Sequence, residues 1–102
     1  MWILALFDLP SLTVFHRRKY HAFRKALLKF GFFMMQKSVY MRWVDTDALA
    51  ESLRRSVMRS APEEGMITVF SLTERALAAA FCMRVDGEMK KPPQKPENFL
   101  VL

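Results

Sequence analysis

The chain has 102 residues, 52% of them hydrophobic, which corresponds to one small domain near the lower limit of self-sufficiency. It has no apolar run of about 18 residues that could cross a membrane, and no positively charged leader precedes its apolar N-terminus. Its single cysteine, Cys82, excludes a disulfide framework or a zinc cluster within one chain. We therefore expect a cytoplasmic protein without membrane association.

The net charge of +6 is concentrated in the first half of the chain. Residues 1–44 contain eight Lys or Arg and one acid, a net charge of +7. Residues 45–102 contain eight Lys or Arg and nine acids, a net charge of −1. A basic surface this concentrated attracts polyanions such as nucleic acid. The alternative is a solvated face that only improves solubility.

The apolar stretch WILALFD, residues 2–8, predicts the first strand. It lacks polar alternation, which is typical of a strand that is covered on both faces and is therefore central in its sheet. Pro10 has no backbone N–H to donate to a ladder, so we expect the strand to end near Asp8. Ser11 or Thr13 can then cap the helix that follows.

The next segment, VFHRRKYHAFRKALLKF, predicts an amphipathic helix of about 17 residues. Its apolar stripe, with spacings of 3, 4 and 3 residues, consists of Tyr20, Phe23, Leu27 and Phe30. The opposite face is basic, interrupted by Leu28, and Gly31 follows as a natural left-handed C-cap. The residues of the basic face, which we expect to bind nucleic acid, are Arg17, Arg18, His21, Arg24, Lys25 and Lys29.

The second half of the chain predicts further strands and a second helix. The stretch FFMMQKSVYMRWV, residues 32–44, is long for one strand, so we expect a reversal near residues 36–38 to divide it into two. Asp45 or Thr46 caps a helix over residues 47–60. MITVFSL predicts a strand, RALAAAF a short helical turn and FCMRV a short strand. The arginines of the second helix are interpreted as solvated surface charge rather than as an extension of the basic surface: Arg54, Arg55 and Arg59.

The order strand, helix, strand, strand, helix, strand predicts an α+β, ferredoxin-like β-α-β-β-α-β domain over residues 1–85. Its helices cover one face of an antiparallel sheet. Because the strands are apolar at nearly every residue, we expect a second copy to cover the other face, sheet against sheet, in a two-fold homodimer. Residues 86–102 are expected to form an extra C-terminal strand or arm that begins with a proline-rich linker. Its apolar end is expected to dock on a partner through Phe99, Leu100, Val101 and Leu102.

Large side chains in the strands are expected to fill the core or the dimer interface. An open aromatic platform for stacking single-stranded bases is the rival interpretation, and it requires rings exposed on an uncovered sheet face. The side chains concerned are Trp2, Met34, Met35, Met41 and Trp43.

Asp8 is the only acid before Asp45, and three roles are open to it. It can accept backbone hydrogen bonds as a turn residue, or it can neutralise Arg17 or Arg18. It can also bind Mg²⁺, which needs few carboxylates and keeps several waters. Two copies of Asp8 across a dimer axis would make the better site, and the bound metal could activate water for phosphodiester hydrolysis. His16 is expected to pack, and neither histidine is given a role in proton transfer.

Three stretches together resemble a known family: a short strand ending in FDLP, a first helix beginning HRRKYHAFRK, and GFFMMQKSVYMRW. The chain resembles the small CRISPR-associated adaptation proteins, the second of the two core spacer-acquisition proteins, also catalogued as CRISPR-associated endoribonucleases. The resemblance covers roughly residues 1–75. It depends on the Asp-ending first strand, on Gln-x-Ser-Val-Tyr at residues 36–40 and on the total length.

The resemblance implies a prokaryotic, ferredoxin-like homodimer that serves in CRISPR spacer acquisition. In that role the dimer supports duplex prespacer DNA and bridges two integrase dimers. The family's C-terminal segment commonly pairs with the other subunit, so the arm over residues 86–102 is expected to dock on the partner subunit or on the integrase. The alternative function implied is a Mg²⁺-dependent endonuclease that cleaves single-stranded RNA or duplex DNA.

The resemblance also implies which residues act. Asp8 would be the catalytic carboxylate and the Mg²⁺ ligand, with one ion held between its two copies. Arg17 and Arg18 fall where the family places nucleic-acid contacts. Many members have Tyr directly before the carboxylate, whereas this chain has Phe7, and we expect that difference to remove a hydroxyl from the site.

Overall fold

The computed structural model describes residues 1–85 and 89–96. Its elements confirm the ferredoxin-like order, and they are β1 (Trp2–Asp8), α1 (Val14–Lys29), β2 (Phe33–Gln36), β3 (Val39–Trp43), α2 (Asp47–Arg59), β4 (Met66–Leu72), α3 (Glu74–Ala78), β5 (Cys82–Met83) and β6 (Met89–Lys90). The strand β6 lies within the segment that the sequence predicts to be a linker or arm, and it pairs antiparallel with β5. The predicted docking segment, Phe99 to Leu102, lies outside the described residues.

Each of the three helices begins after a threonine whose hydroxyl accepts a backbone N–H. Thr13 caps α1 at 3.0 Å from the nitrogen of His16, and Thr46 caps α2 at 3.1 Å from the nitrogen of Leu49. These bonds satisfy donors that the first turn of a helix leaves free. The cap of α1 is therefore Thr13 rather than Ser11, and the cap of α2 is Thr46 rather than Asp45. Thr73 caps α3 in the same way.

The chain leaves α1 through a left-handed glycine, as predicted. Gly31 has φ +88°, and its N–H donates to the carbonyl of Leu28 at 3.0 Å. The following N–H, of Phe32, donates to the carbonyl of Leu27. These bonds satisfy carbonyls at the end of the helix and turn the chain toward β2.

The sheet has the strand order β2-β3-β1-β4 and is antiparallel throughout. The first strand is central, as predicted, and at one end of it Trp2 lies opposite Trp43 on β3 and Leu72 on β4. At the other end Asp8 lies opposite Met66. The reversal between β2 and β3 is tight, since Ser38 has φ +63° and the register shifts before it.

The two long helices contribute to one buried cluster on one face of the sheet. Leu27 and Val57, from α1 and α2, are fully buried there. Alternation along β1 contributes every second residue to this cluster. Its members from the strands and helices are Ile3, Ala5, Phe7, Phe23, Leu27, Tyr40, Leu53 and Val57, with Leu9, Phe32 and Val44 at their margins.

The other face of the sheet is partly covered by this chain's own α3. Leu77 of α3 packs with Trp2, Leu4 and Met41 in a second buried cluster. The indole Nε1 of Trp2 donates to a carboxylate oxygen of Glu74 at 2.8 Å. Because Trp2 is 1% exposed within a single chain, it cannot serve as an open stacking platform.

The rest of this second face retains exposed apolar side chains. Met66 is 71% exposed, Phe70 41% and Phe33 40%. We define these three residues, together with the half-buried Leu6, as the open sheet face. The cover that the sequence predicts for the whole face is therefore only partly supplied within the chain, because α3 covers the surroundings of Trp2, Leu4 and Met41 while the three residues named above remain exposed. Within the described ranges, no helix is long and apolar enough to cross a membrane.

Candidate nucleic-acid interface

The basic face of α1 is exposed along its whole length. Arg18, His21, Lys25 and Lys29 are exposed, and Arg24 is half-buried. Their separations of three and four residues place Arg18, His21, Lys25 and Lys29 on one side of the helix, over about 16 Å at 1.5 Å per residue. The helix contains no acidic residue. We define these four residues as the α1 stripe, in which Arg18, Lys25 and Lys29 are positively charged at pH 7.

No described residue forms an ion pair with a cation of the α1 stripe. The sheet side of the helix is apolar, and its first turn contains no acid. The electrostatic attraction of such a cation for a phosphate is not offset by a neighbouring carboxylate. The predicted nucleic-acid residues Arg18, Lys25 and Lys29 are therefore placed together and available.

Arg17 differs from the rest of the predicted basic face, because the loop before α1 engages its guanidinium. Its Nη1 donates to the carbonyl of Leu12 at 3.1 Å and to that of Ser11 at 3.3 Å. These bonds tie the first turn of α1 to the loop that follows β1. Within the described part of the chain Arg17 does not pair with Asp8, so the interpretation of Asp8 as its neutralising partner is not supported.

Two of the three arginines of α2 are paired with a carboxylate of their own helix. Glu51 pairs with Arg54 three residues later and, at 3.5 Å, with Arg55 four residues later. The hydrogen bond from Arg54 holds the pKa of Glu51 below its ordinary value, and it raises the pKa of Arg54. Glu51 is absent from the sequence-based predictions, although its spacing of three and four to the two arginines is the signal for such pairs. The interpretation of these arginines as surface charge is consistent with this pairing.

Asp8 is exposed at the end of β1, on the same side of the sheet as the open sheet face. It follows from alternation along the strand that Asp8 and Leu6 share that side, whereas Phe7 points to the helices. No hydrogen bond or ion pair joins the Asp8 carboxylate to a described residue, so its role as a backbone-bonding turn residue is also not supported. The carboxylate is free to bind a ligand.

A glycine in the turn before β4 fixes the backbone at Asp8. Gly65 has φ +106°, and a Cβ atom there would lie 2.7 Å from both the Asp8 carbonyl oxygen and Leu9 Cδ2. Only glycine allows this approach, because both the conformation and the space exclude a side chain. The position of Asp8 therefore depends on a residue 57 positions later, which no local pattern around Asp8 indicates.

The described residues of one chain do not form a complete set of metal ligands. Across residues 1–85 and 89–96, no three His, Cys, Asp or Glu side chains form a group that could hold a metal ion. Mg²⁺ is nevertheless bound in many proteins by one or two carboxylates and several waters. The exposed, unpaired carboxylate of Asp8 fits that requirement if a second copy supplies the second carboxylate.

The expectation that Phe7 removes a hydroxyl from the Asp8 site is wrong. Phe7 is 6% exposed, and its ring packs edge-on against Phe23 with centroids 5.1 Å apart. It therefore lies on the face of the sheet opposite to Asp8. A hydroxyl on this ring would enter the helix-side core, so its absence leaves the surroundings of Asp8 unchanged.

The two histidines occupy different surroundings. His21 is exposed on the α1 stripe. His16 packs at the start of α1, as predicted, but its Nε2 also lies 3.3 Å from a carboxylate oxygen of Glu64. The sequence does not predict this approach, because the two residues are 48 positions apart and no periodic pattern joins them.

Comparison with known proteins identifies the family. The family model described as CRISPR associated protein Cas2 matches residues 1–80. A CRISPR-associated endoribonuclease Cas2 of Paracidovorax avenae is 36% identical over 100 residues, which cover 97% of this chain and 91% of that protein. The same named protein of Flavobacterium psychrophilum is 37% identical over 101 residues, or 97% and 88% of the two chains. That of Treponema denticola is 40% identical over 78 residues, or 76% and 77%. The resemblance found in the sequence is thereby confirmed, and this chain belongs to the Cas2 family of CRISPR-associated proteins.

Proposed function

We propose that this chain is a homodimeric DNA-binding subunit of the CRISPR spacer-acquisition machinery, where it holds duplex prespacer DNA and bridges integrase dimers. The observation that carries the proposal is the α1 stripe, whose exposed cations form no ion pair with any residue that the structure describes. Membership of the Cas2 family gives the CRISPR context.

The chemistry of the α1 stripe suits a duplex of any sequence. Lys and Arg contacts to phosphates position a duplex without reading its bases. Recognition of adenine and cytosine edges uses Asn, Gln, Asp or Glu side chains. Helix α1 contains none of these residue types, and its stripe spans about 16 Å. A protein that must accept new spacer sequences needs this kind of contact.

The homodimer in this proposal is supported by the open sheet face. Met66, which lies opposite Asp8, and Phe70, which lies opposite Leu4, are large apolar side chains exposed on this face. Covering them with a second copy would remove apolar surface from water. It would also bring two copies of Asp8 toward each other and two copies of α1 onto one assembly.

Duplex binding across a salt series tests the DNA-binding part of the proposal. The Arg18→Ala, Lys25→Ala, Lys29→Ala triple variant is compared with wild type by fluorescence anisotropy on duplexes of unrelated sequence. The slope of log affinity against log salt should fall by about 0.9 for each phosphate that the variant no longer neutralises. Wild-type binding should persist in a chelator and should not depend on sequence.

The matched control removes the same number of cations from the other helix. The Arg54→Ala, Arg55→Ala, Arg59→Ala variant should retain the wild-type slope, since Glu51 already neutralises part of that charge. Equal reductions of affinity in the two triple variants would mean that net charge alone attracts DNA. That result would overturn the assignment of the duplex to α1.

A metal-dependent endonuclease centred on Asp8 is the second candidate. It is favoured by one observation, the exposed and unpaired Asp8 carboxylate beside an apolar face that a second copy can cover. The relatives named above are called endoribonucleases, and we extend that activity to this chain only as a proposal. Mg²⁺ bound between two Asp8 carboxylates would supply a Lewis acid and lower the pKa of a bound water.

Cleavage and binding measured together separate the two candidates. Wild type and Asp8→Asn are incubated with labelled duplex DNA and single-stranded RNA, with Mg²⁺ or with chelator. Nuclease function requires Mg²⁺-dependent cleavage by wild type and intact binding without cleavage by the variant. Bound but uncut substrate under every condition would exclude nuclease function and leave the DNA-binding role.

A further inference from the structure

The turn between β2 and β3 carries an exposed cation beside α1. Lys37 lies in this turn, and the next residue, Ser38, has φ +63°, a left-handed conformation that residues other than glycine seldom adopt. Helical periodicity does not reveal Lys37, because this residue is outside α1. Its place relative to the helix follows from the contacts of the turn.

Two hydrogen bonds hold the turn against its neighbours. The hydroxyl groups of Ser38 and of Tyr20 on α1 lie 3.2 Å apart, which joins the turn to the helix. The N–H of Phe7 donates to the carbonyl of Ser38 at 3.1 Å, which joins the turn to the last residues of β1. Lys37 therefore lies where α1 meets the end of the sheet that carries Asp8.

Two arginines of α1 lie next to the residue that contacts the turn. Arg17 is three residues before Tyr20 and Arg24 is four residues after it, spacings that make them neighbours of Tyr20 on the helix surface. At about 100° per residue, both lie about 40–60° around the helix from Tyr20, in the direction of the α1 stripe. We define Arg17, Arg24 and Lys37 as the corner site. It continues the positive charge of the α1 stripe toward the β2–β3 turn.

Within the described ranges, no carboxylate forms an ion pair with a cation of the corner site. Asp8 is the only acid in residues 1–44, and its side chain points to the face of the sheet opposite α1. Glu63 and Glu64 precede β4, and Glu64 approaches α1 at 3.3 Å from His16 Nε2. That histidine lies about 40° from Tyr20 in the direction away from the α1 stripe. The attraction of the corner site for a phosphate is therefore not offset by a neighbouring carboxylate.

We infer that the corner site binds a backbone phosphate of nucleic acid and that Lys37 contacts this phosphate. The inference deepens the proposed function and rests on it. Arg17 retains its charge for the phosphate, because its own hydrogen bonds are to neutral carbonyls of the loop before α1. A polyanion that lies on the α1 stripe reaches the corner site as well, because the two groups of cations are continuous around the helix.

The corner site also gives the nucleic acid a direction. The turn is bonded to Phe7, and Asp8 is the next residue. A phosphate held by Lys37 lies at the end of the sheet that carries Asp8, so a strand bound along α1 passes toward that carboxylate. Lys37 positions the strand through its backbone and reads no base.

Duplex affinity over a salt series tests the inference. Wild type, Lys37→Ala and Lys37→Arg are compared by fluorescence anisotropy on one labelled duplex in the presence of a chelator. Lys37→Ala should lower the salt slope by about 0.9, the value for one phosphate, and weaken binding roughly eightfold at about 0.1 M salt. Lys37→Arg keeps the charge and should keep the wild-type slope. Because Lys37 is exposed, neither change should impair folding.

The matched control is Lys95→Ala, which removes the same charge from another exposed lysine. Lys95 Nζ lies 5.7 Å from the centroid of the Trp43 ring. Trp43 pairs with Trp2, at the opposite end of β1 from Asp8. This variant should therefore retain the wild-type slope.

A double-mutant cycle tests whether α1 holds Lys37 in place. Tyr20→Phe removes the hydroxyl that contacts Ser38. It should weaken duplex binding about twofold or more in the wild type and leave it unchanged in Lys37→Ala, since the effects of residues that act through one contact are not additive. Thermal melts establish that each variant is folded.

The possible outcomes separate this inference from the proposed function. If the α1 triple variant loses duplex affinity and Lys37→Ala does not, the inference is overturned and the proposed function stands. If wild type fails to bind duplex DNA, the proposed function is wrong and the inference falls with it. If Lys95→Ala and Lys37→Ala lower the slope equally, net charge alone explains the loss and the inference is wrong. Equal effects of Tyr20→Phe in both backgrounds would also overturn it, since the turn and α1 would then not form one site.

Discussion

Helices α1 and α2 pack on the same face of the sheet and resemble each other in most respects. Each begins after a threonine cap, and each buries two apolar residues in the same cluster. Both carry several exposed basic side chains. They differ in that α2 contains Glu51, which pairs with two of its arginines, whereas α1 contains no acid.

Because of this difference, a count of basic residues alone does not predict how much positive charge a helix offers to nucleic acid. A cation paired with a neighbouring carboxylate offers little net charge to a phosphate, whereas an unpaired one offers all of it. The electrostatic part of duplex binding depends on how many phosphates are neutralised. The α1 stripe can neutralise several of them.

The largest expected effect is one that the two helices share. Leu27→Ala on α1 and Leu53→Ala on α2 each remove a buried side chain from the same cluster. Each should lower the free energy of unfolding by about 2–5 kcal/mol, the usual range for such truncations. Urea unfolding followed by circular dichroism measures this. If only one of the two variants lost much less unfolding free energy than this range, the two helices would not contribute equally to the stability of the cluster.

The second prediction adds an acid to α1, so that this helix resembles α2 in having a carboxylate beside its cations. Ala22→Glu places an acid on α1 four residues after Arg18 and three before Lys25, where it can pair with both. Duplex affinity should fall roughly ten- to a hundredfold, with a salt slope lower by about 2, if these two cations no longer neutralise phosphates. Fluorescence anisotropy over a salt series measures both quantities.

Ser52→Glu on α2 is the control for that change. It adds an acid three residues before Arg55, at an exposed position, and should leave the salt slope unchanged. If Ser52→Glu lowered the salt slope as much as Ala22→Glu does, the proposal that DNA contacts α1 and not α2 would be contradicted.

The third prediction concerns the opposite change, the removal of an acid from α2. Glu51→Ala frees Arg54 and Arg55, so α2 then resembles α1 in charge. If the duplex lies along α1, affinity should change by no more than about twofold, because charges beyond a Debye length of about 10 Å are largely screened. A large increase in affinity would place α2 beside the duplex as well.

The smallest expected effect concerns the carboxylate of Glu51 itself. Arg54→Ala removes the donor that holds its pKa low, so that pKa should rise toward its ordinary value. Since a lowered carboxylate pKa favours the folded state above the unfolded pKa, the wild-type contribution should disappear as the pH falls through the folded value. Carboxyl chemical shifts in an NMR titration measure the change. An unaltered pKa in the variant would mean that the pair does not persist in solution.

Periodic features of the chain were predictable from the sequence. The continuous apolar run of β1 indicated a central strand, and the three- and four-residue spacing around Phe23 and Leu27 indicated α1 with its basic face. The left-handed Gly31 followed from its place after the last apolar residue. Each of these features depends on residues within a few positions of one another, where backbone geometry directly relates sequence to structure.

Three other features were decided by the tertiary structure. Leu77 of α3 reaches back to cover Trp2, so part of the sheet face is buried without a second copy. Ring orientation at Phe7 separates it from the Asp8 carboxylate, although the two residues are neighbours in sequence. In the same way, Arg17 belongs by periodicity to the basic face, but the fold engages it with loop carbonyls.

The sequence by itself therefore determined the order of elements, the central place of β1 and the concentration of positive charge on α1. Tertiary structure decided which of those charges remain free, where Asp8 points and how Glu64 meets His16. The physical reason is distance along the chain. Strand alternation and helix periodicity are local, whereas the contacts of Gly65 with Asp8 and of Glu64 with His16 join segments about 50 residues apart. Such contacts form only when the pairing of β1 with β4 places the turn before β4 beside the end of β1.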